Sequence, residues 1–322
     1  MPDEPAIEAT GLEKSYGTVR VLSGVDVRVA RGSVFSLLGP NGAGKTTMVR
    51  ILSTLLQPDA GTATVAGFDT VRERAQVRRS ISLTGQDTAI DELQTGAENL
   101  RMMARLCRLS KAEARARATE LLEQFDLTAA ARRRVGTYSG GMRRRLDLAA
   151  SLIVRPAVIF LDEPTTGLDP RSRQAVWEVV TDLTRSGVTI FLTTQYLEEA
   201  DKLADRIAVM DGGTIVAEGT SAELKQQVAG HRLDLTAVDQ DAFAELMGVL
   251  GPRAVQPVDD RRTVSVATDG SAGHVRALLD ELDPRRATVA RFTVHSATLD
   301  DVFLALTGHT TTTEPEKETA GV

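Results

Sequence analysis

The sequence predicts an α/β chain in two parts. The larger part is built on a buried parallel sheet with a helical insert, and a small α+β domain of ferredoxin-like order follows it. Three observations carry this expectation. Residues 33–56, "SVFSLLGPNGAGKTTMVRILSTLL", read as a strand, a Gly-rich turn and a helix, the opening of a phosphate-binding α/β unit. Residues 97–155 carry apolar side chains at three- and four-residue spacing almost throughout, as a helical insert would. Near Gly230 short strands and helices begin to alternate afresh on a smaller scale.

Length and charge narrow the classes further. A chain of 322 residues is long for one core, so two domains are expected. The net charge of −6 argues against general nucleic-acid affinity, which needs a basic footprint. A single cysteine, Cys107, excludes an internal disulfide and points to a reducing compartment. The start, "MPDEPAIEA", has no apolar core of a secretory signal, and no window approaches 18 to 20 apolar residues. A membrane role therefore has to run through a partner. The charge is uneven, with eleven arginines and one lysine against four acids over residues 101–145. That stretch reads either as a solvated helical surface or as a docking face.

The elements follow in order. "AIEATGLEK" (6–14) and "VRVLSGVDVRVARG" (19–32) alternate with period two between glycines, as strands with one exposed face. The strand of residues 33–38 and the helix from Lys45 follow, then a strand "SISLTGQ" (80–86). "ENLRMMARLCRL" (98–109), "KAEARARATELLEQF" (111–125) and "SGGMRRRLDLAASLIVR" (139–155) are helical, the last stopped by Pro156. "AVIFLDEP" (157–164) is a continuous apolar run closing on two acids, the mark of a central strand buried on both faces. A helix over 172–187, a strand over 188–195 and a helix over 198–204 follow. "RIAVMD" and "TIVAEG" then form a hairpin about Gly212-Gly213. Beyond Gly230 the order is strand (231–238), helix (242–250), strand (263–269), helix (274–282), strand (288–295) and helix (298–306). The expected domains are 5–228, with the insert at about 90–155, and 230–308. The polar, aperiodic residues 309–322 form an expected disordered tail.

Two motifs carry chemistry. "GPNGAGKTT" comprises Gly39, Pro40, Asn41, Gly42, Ala43, Gly44, Lys45, Thr46 and Thr47. It fits G-x-x-x-x-G-K-[ST] in the context that confirms it, between a strand and a helix. Its glycines let backbone N–H groups surround a β-phosphate at a helix start. Lys45 can reach the β- and γ-phosphates, and the Thr46 hydroxyl is placed for Mg²⁺. In "VIFLDE" (158–163), Asp162 at the strand end can hold Mg²⁺ through water, and Glu163 can orient or deprotonate an attacking water. The pair implies hydrolysis of ATP as well as binding.

A third motif, "YSGGMRRR" (138–145), sets Ser139 as a helix N-cap with Gly140 and Gly141 baring the helix start, a second anion site far from the first. A second cradle makes sense if it covers the γ-phosphate held by a neighbouring copy. With the other two motifs, the chain resembles the P-loop ATP-binding subunits of ABC transporters over residues 5–225. The resemblance implies ATP and Mg²⁺ as ligands and an ATP-dependent homodimer. It also matches Tyr16 to the aromatic that stacks on adenine, and Asp169 in "GLDP" to a loop crossing between subunits. Gln86 matches the glutamine that meets Mg²⁺ and links the nucleotide to the helical insert. In place of the usual L-S-G-G-Q stand Tyr138 and Met142 at the first and last positions. A histidine normally follows the strand that ends at Thr194; here it is Gln195, and all four histidines, His231, His274, His295 and His309, lie beyond Gly230. Glutamine can still donate to phosphate and accept from water, but it carries no charge.

Gln195, "GGMRRRLDLA" and "TLDDVFLALTG" (298–308) together look like the daunorubicin-resistance type of drug-export ATPase. That resemblance implies export of a hydrophobic compound bound by a separate multi-span membrane subunit, from the cytoplasmic face of the cell membrane. The Arg-rich insert and residues 86–93 would dock that subunit. Two other classes share the motifs. One is an ATPase moving lipid, polysaccharide or an imported solute; an import ATPase would usually carry a β-rich C-terminal domain, which the helices at 242–250 and 274–282 argue against. A soluble relative acting on ribosomes or nucleic acid would usually show two tandem nucleotide domains or a long coiled coil.

Overall fold

In the computed structural model, which describes residues 4–85, 90–228, 231–258, 261–295 and 298–307, the Gly-rich turn stands at the end of a buried parallel strand. The chain divides into units of residues 1–220 and 221–322. The first unit runs β1 (Ile7–Tyr16), β2 (Val19–Val29), β3 (Val34–Leu38), α1 (Lys45–Leu52), β4 (Ala60–Val65), β5 (Phe68–Asp69), α2 (Arg74–Ser80) and β6 (Ile81–Thr84). The helical insert supplies α3 (Gly96–Leu106), α4 (Lys111–Gln124) and α5 (Gly140–Ser151). Then come β7 (Val158–Asp162), α6 (Pro170–Arg185), β8 (Thr189–Thr194), α7 (Leu197–Leu203), β9 (Arg206–Asp211) and β10 (Thr214–Gly219).

The strands form an antiparallel sheet in the order β2-β1-β4-β5 and a six-stranded sheet in the order β10-β9-β3-β8-β7-β6. The second is parallel from β9 to β6, with β10 as an antiparallel edge. Alternation decides which face each strand residue serves. Val158 and Phe160 of β7 pack with α1 and the antiparallel sheet, while Ile159 and Leu161 pack with the helical insert and α6. This double burial is why β7 reads as a continuous apolar run. Phe35, Phe160 and Phe191 of neighbouring strands meet at centroid distances of 5.5 and 5.6 Å, each ring contributing roughly 1.5–3 kcal/mol by burial.

Several element ends differ from expectation, each for a local reason. The helix after the Gly-rich turn stops at Leu52, not Leu56, because Thr54 turns left-handed at φ 66°. Helix α5 ends at Ser151 and not Arg155, where φ is 51°. The insert is less helical than its spacing implied: between α4 and α5 only single 3₁₀ turns form, at Thr128–Ala130 and Val135–Thr137. Helices α3 and α4 start where capping boxes demand, Thr95 with Glu98 and Ser110 with Glu113.

The second unit opens with α8 (Ser221–Val228), upstream of the break expected at 228–230. Then come β11 (His231–Ala237), α9 (Gln240–Leu250), β12 (Val255–Val258), β13 (Thr263–Thr268), α10 (Ala272–Leu282), β14 (Val289–His295) and α11 (Leu299–Thr307). The antiparallel order β12-β13-β11-β14 is the ferredoxin-like arrangement. Leu233 and Leu235 face Phe243, Leu246 and Leu278 in its core. The tail, 309–322, lies outside the described residues. No helix among the described residues is long and apolar enough to cross a membrane.

Candidate functional site

The Gly-rich turn is held by contacts only glycine permits. A Cβ on Gly39 would lie 2.3 Å from the Met210 carbonyl oxygen. Gly44, the N-cap of α1, sits at φ 110° with the Val21 carbonyl 2.8 Å from where a Cβ would stand. The Ala43 N–H donates to Pro40 O at 3.3 Å, closing the turn, and the Ala43 side chain joins the core. The loop backbone is therefore left to line a cavity of about 320 Å³ with Tyr16, Asn41, Gly42, Thr46, Thr47 and Glu163 on its walls. Lys45 opens α1 almost fully buried. Its ammonium donates to Gly39 O at 2.8 Å and Pro40 O at 3.0 Å and lies 3.5 Å from Glu163 Oε1. Burial pulls its pKa down, and the charges of Glu163 and Asp162 oppose that pull. A buried cation, bare N–H groups and a helix start make this cavity an anion site.

The end of β7 brings the acid pair to this site, with Glu163 on the cavity wall and Asp162 behind Thr46. Asp162 is buried, and its Oδ1 accepts from Thr46 Oγ1 at 3.3 Å and from the Thr193 hydroxyl of β8. A hydroxyl and a carboxylate oxygen so converged suit a hard divalent cation that takes its other ligands from phosphate and water. Among the described residues no cluster of three His, Cys, Asp or Glu side chains could hold a metal ion. Glu163 sits at φ 50°, a left-handed backbone costly for a non-glycine residue and held by its N–H donating to Thr193 O (3.1 Å) and Oγ1 (3.2 Å). Thr193 thus fixes both acids. Sequence reasoning passed it over, since only the rule that a buried hydroxyl needs partners singles it out.

Gln195 follows β8 directly and is half-buried. Its neighbour Thr194 pairs with Leu38, and the Thr194 carbonyl accepts from the Gly39 N–H at 3.3 Å, so Gln195 stands beside the phosphate loop. Ser139 N-caps α5 through its Oγ, which accepts from the Met142 N–H at 3.2 Å, and it is exposed with Gly140. Gly140 borders a second cavity, about 370 Å³, lined by Arg143, Arg144, Pro164, Thr166 and Leu168. Glu163 borders both cavities. Gly141 is buried, and a Cβ there would meet Ser172 Oγ at 2.5 Å, so the packing of α5 on α6 alone requires glycine. Asp169 N-caps α6: the Ser172 hydroxyl and N–H donate to it at 2.6 and 3.0 Å and hold its pKa below the usual value. Gln86 lies outside the described residues.

Tyr138, the departure from leucine, has a reason. Its hydroxyl donates to the buried Ala130 O at 2.7 Å, and Gly96 makes room, since a Cβ there would stand 2.4 Å from the phenol oxygen. In the Arg-rich insert several arginines are held internally, as Arg117 with Glu120, Arg143 with Glu92 and Arg133 with the Thr137 carbonyl. Leu93 and Leu106, by contrast, are 80% and 71% exposed.

The chain has relatives along its whole length. The family model described as ABC transporter matches residues 22–166, and one described as ATP-binding protein DrrA1-3-like, C-terminal domain, matches 219–307. The daunorubicin resistance ATP-binding protein DrrA2 of Streptomyces coeruleorubidus is 51% identical over 99% of this chain and 100% of its own. The doxorubicin resistance ATP-binding protein DrrA of Mycobacterium tuberculosis is 50% identical over 95% and 94%. Among solved structures, a dimeric ATP-binding cassette in a post-hydrolysis state with ADP and Pi superposes with a TM-score of 0.60. It is 25% identical and covers 66% of this chain and 98% of that one.

Proposed function

The chain belongs to the ATP-binding subunits of ABC transporters, and on that premise we propose that it powers efflux of a hydrophobic drug or antibiotic through a separate multi-span membrane subunit. The observation that carries the hydrolytic part is the convergence of Lys45, Thr46 and Glu163 on one cavity, with buried Asp162 bonded to the Thr46 hydroxyl, at the ends of β3 and β7. The full-length likeness to proteins named for daunorubicin and doxorubicin resistance supports the exporter part, second unit included.

In this reading the backbone N–H groups of residues 42–47 and the Lys45 ammonium hold the β- and γ-phosphates, and Tyr16 takes the adenine. Mg²⁺ would be held by Thr46 and Asp162, with Gln86, and would neutralise charge on the phosphates. Glu163 takes the proton of the attacking water, and Gln195 accepts from that water while donating to phosphate. A second copy places Ser139, Gly140 and Gly141 over the γ-phosphate and Asp169 across the junction, closing a head-to-tail dimer. ATP drives the closure because it binds the closed form more tightly. Leu93 and Leu106, exposed in the insert, supply an apolar face for the membrane subunit at the cytoplasmic side of the membrane.

Glu163→Gln tests this reading. The variant keeps the side chain's shape and loses the base, so hydrolysis should fall by about 100-fold or more while ATP binding persists. With ATP and Mg²⁺ the variant should sediment as a dimer, and from native membranes it should retain one multi-span protein in equal amount. Retention only with ribosomes or nucleic acid would overturn the transporter role.

A further inference from the structure

Arg144 has no part in the chemistry above, yet it is buried where its neighbours are not. It is 7% exposed, while the side chains of Arg143 and Arg145 are 39% and 22% exposed. Burying a guanidinium is costly unless it is paired and well bonded, and an apolar side chain of similar volume would pack there at lower cost. The pairing here is directional. One nitrogen, Nη1, donates both to the Gly85 carbonyl at 3.0 Å and to Asp147 Oδ2 at 3.1 Å, one turn along α5. Burial lowers the arginine's pKa, and the charges of Asp147, Glu199 and Asp162 resist it in that order. One buried cation thus bonds α5 to the residue after β6.

The elements it joins are the ones the reaction has to coordinate. Gly85 immediately precedes Gln86 and the segment that leads to exposed Leu93. Helix α5 begins at Ser139, and the same arginine lines the second cavity beside Gly140 and Glu163. We propose that Arg144 is a positioning residue that ties the start of α5 to Gly85, so that displacement of one on ATP binding displaces the other. Asp147 aims the guanidinium at Gly85. The coupling rests on the reading of Ser139 as a contact to the second copy's nucleotide. It adds the route by which that contact reaches the docking segment.

Amide hydrogen exchange of the full chain, with and without ATP-Mg²⁺, tests this in the peptides spanning residues 80–95 and 138–146. Wild type should respond to ATP in both. Arg144→Met should keep the response at 138–146 and lose it at 80–95. Its kcat should fall about 3- to 30-fold, the range of coupling effects along such networks, with the KM for ATP within about twofold. Arg144→Lys keeps the charge against Asp147, Glu199 and Asp162 but not the fork, and should show the same pattern in part. If Arg144→Met does not fold, Arg144→Lys decides alone. A wild-type ratio of the two responses in the folded variants, or a loss confined to thermal stability with kcat per folded molecule unchanged, overturns the coupling. No response at 138–146 in wild type overturns the Ser139 contact and the coupling with it.

Discussion

Gln195 offers the sharpest test of how the site works. Thr194, one residue before it, is tied to Gly39 at the start of the phosphate loop, and Thr193, two before it, holds both acids. A carboxamide so placed is within two residues of both halves of the machinery, and its contribution is about one hydrogen bond to a charged partner, ~1.5–3 kcal/mol. At about 1.4 kcal/mol per decade, Gln195→Ala should lower kcat roughly 10- to 150-fold, with the KM for ATP changed only a few-fold. Gln195→His gives the matching gain. A neutral imidazole donates from one nitrogen and accepts at the other, as the amide does, but the protonated ring cannot accept from water. Its rate should therefore fall below about pH 6.5, an acidic limb absent from wild type. Phosphate release at saturating ATP between about pH 5.5 and 8 reads both effects. Wild-type kcat in Gln195→Ala, or the same limb in wild type as in Gln195→His, would refute the assignment.

Three further outcomes follow from buried groups. Glu199 is fully buried with the Trp177 indole N–H donating to it at 3.1 Å, and burial pushes its carboxyl above the ordinary 4.5. A raised acid stabilises fully below its unfolded pKa and loses that contribution as pH rises through the folded one. Glu199→Gln should therefore gain on wild type in melting temperature as pH climbs from about 4.5, and a difference independent of pH would sink the argument. Gly141→Ala forces a Cβ to within 2.8 Å of Ser172 Cβ and should cost ~1–3 kcal/mol in urea unfolding. Loss of ATPase without that cost would put the glycine's role in the second copy's nucleotide instead. Tyr138→Phe leaves the buried Ala130 carbonyl with only the Arg133 N–H as donor and should destabilise by ~0.5–1.5 kcal/mol, with a null effect excluding the bond as the reason for tyrosine.

The fold class was legible because burial writes itself into period. Strand β7, apolar from Val158 to Leu161, had to be sandwiched, and the Gly-rich turn between a strand and Lys45 had one structural context. Less was written for β4, β5, α2 and β12. Strand β4, "AGTATV", is small and half-polar because it pairs with β1 at the flank, and α2 buries only Val77. Neither leaves a periodic stripe to read. Helix ends at Thr54 and Arg155 were missed because a left-handed non-glycine residue has no compositional mark.

The site divides along the same line. Residues proposed to meet a ligand through backbone or through a motif-bound side chain, such as Gly39, Lys45 or Asp162, stand at fixed spacings and could be named from the sequence. Those that aim them do not. Thr193, Asp147 and Glu199 are polar groups inside apolar neighbourhoods, and each looks in sequence like a tolerated exception on a buried strand or helix. Their desolvation has to be offset by partners: Asp162 and Glu163 for Thr193 and Trp177 for Glu199 from distant positions, and Arg144 for Asp147 from one turn away. Apolar substitutes would serve stability as well or better, so what such groups contribute is direction. In this chain they cluster between the phosphate loop, the switch at Gln195 and helix α5, where small rotations have to be transmitted without slack.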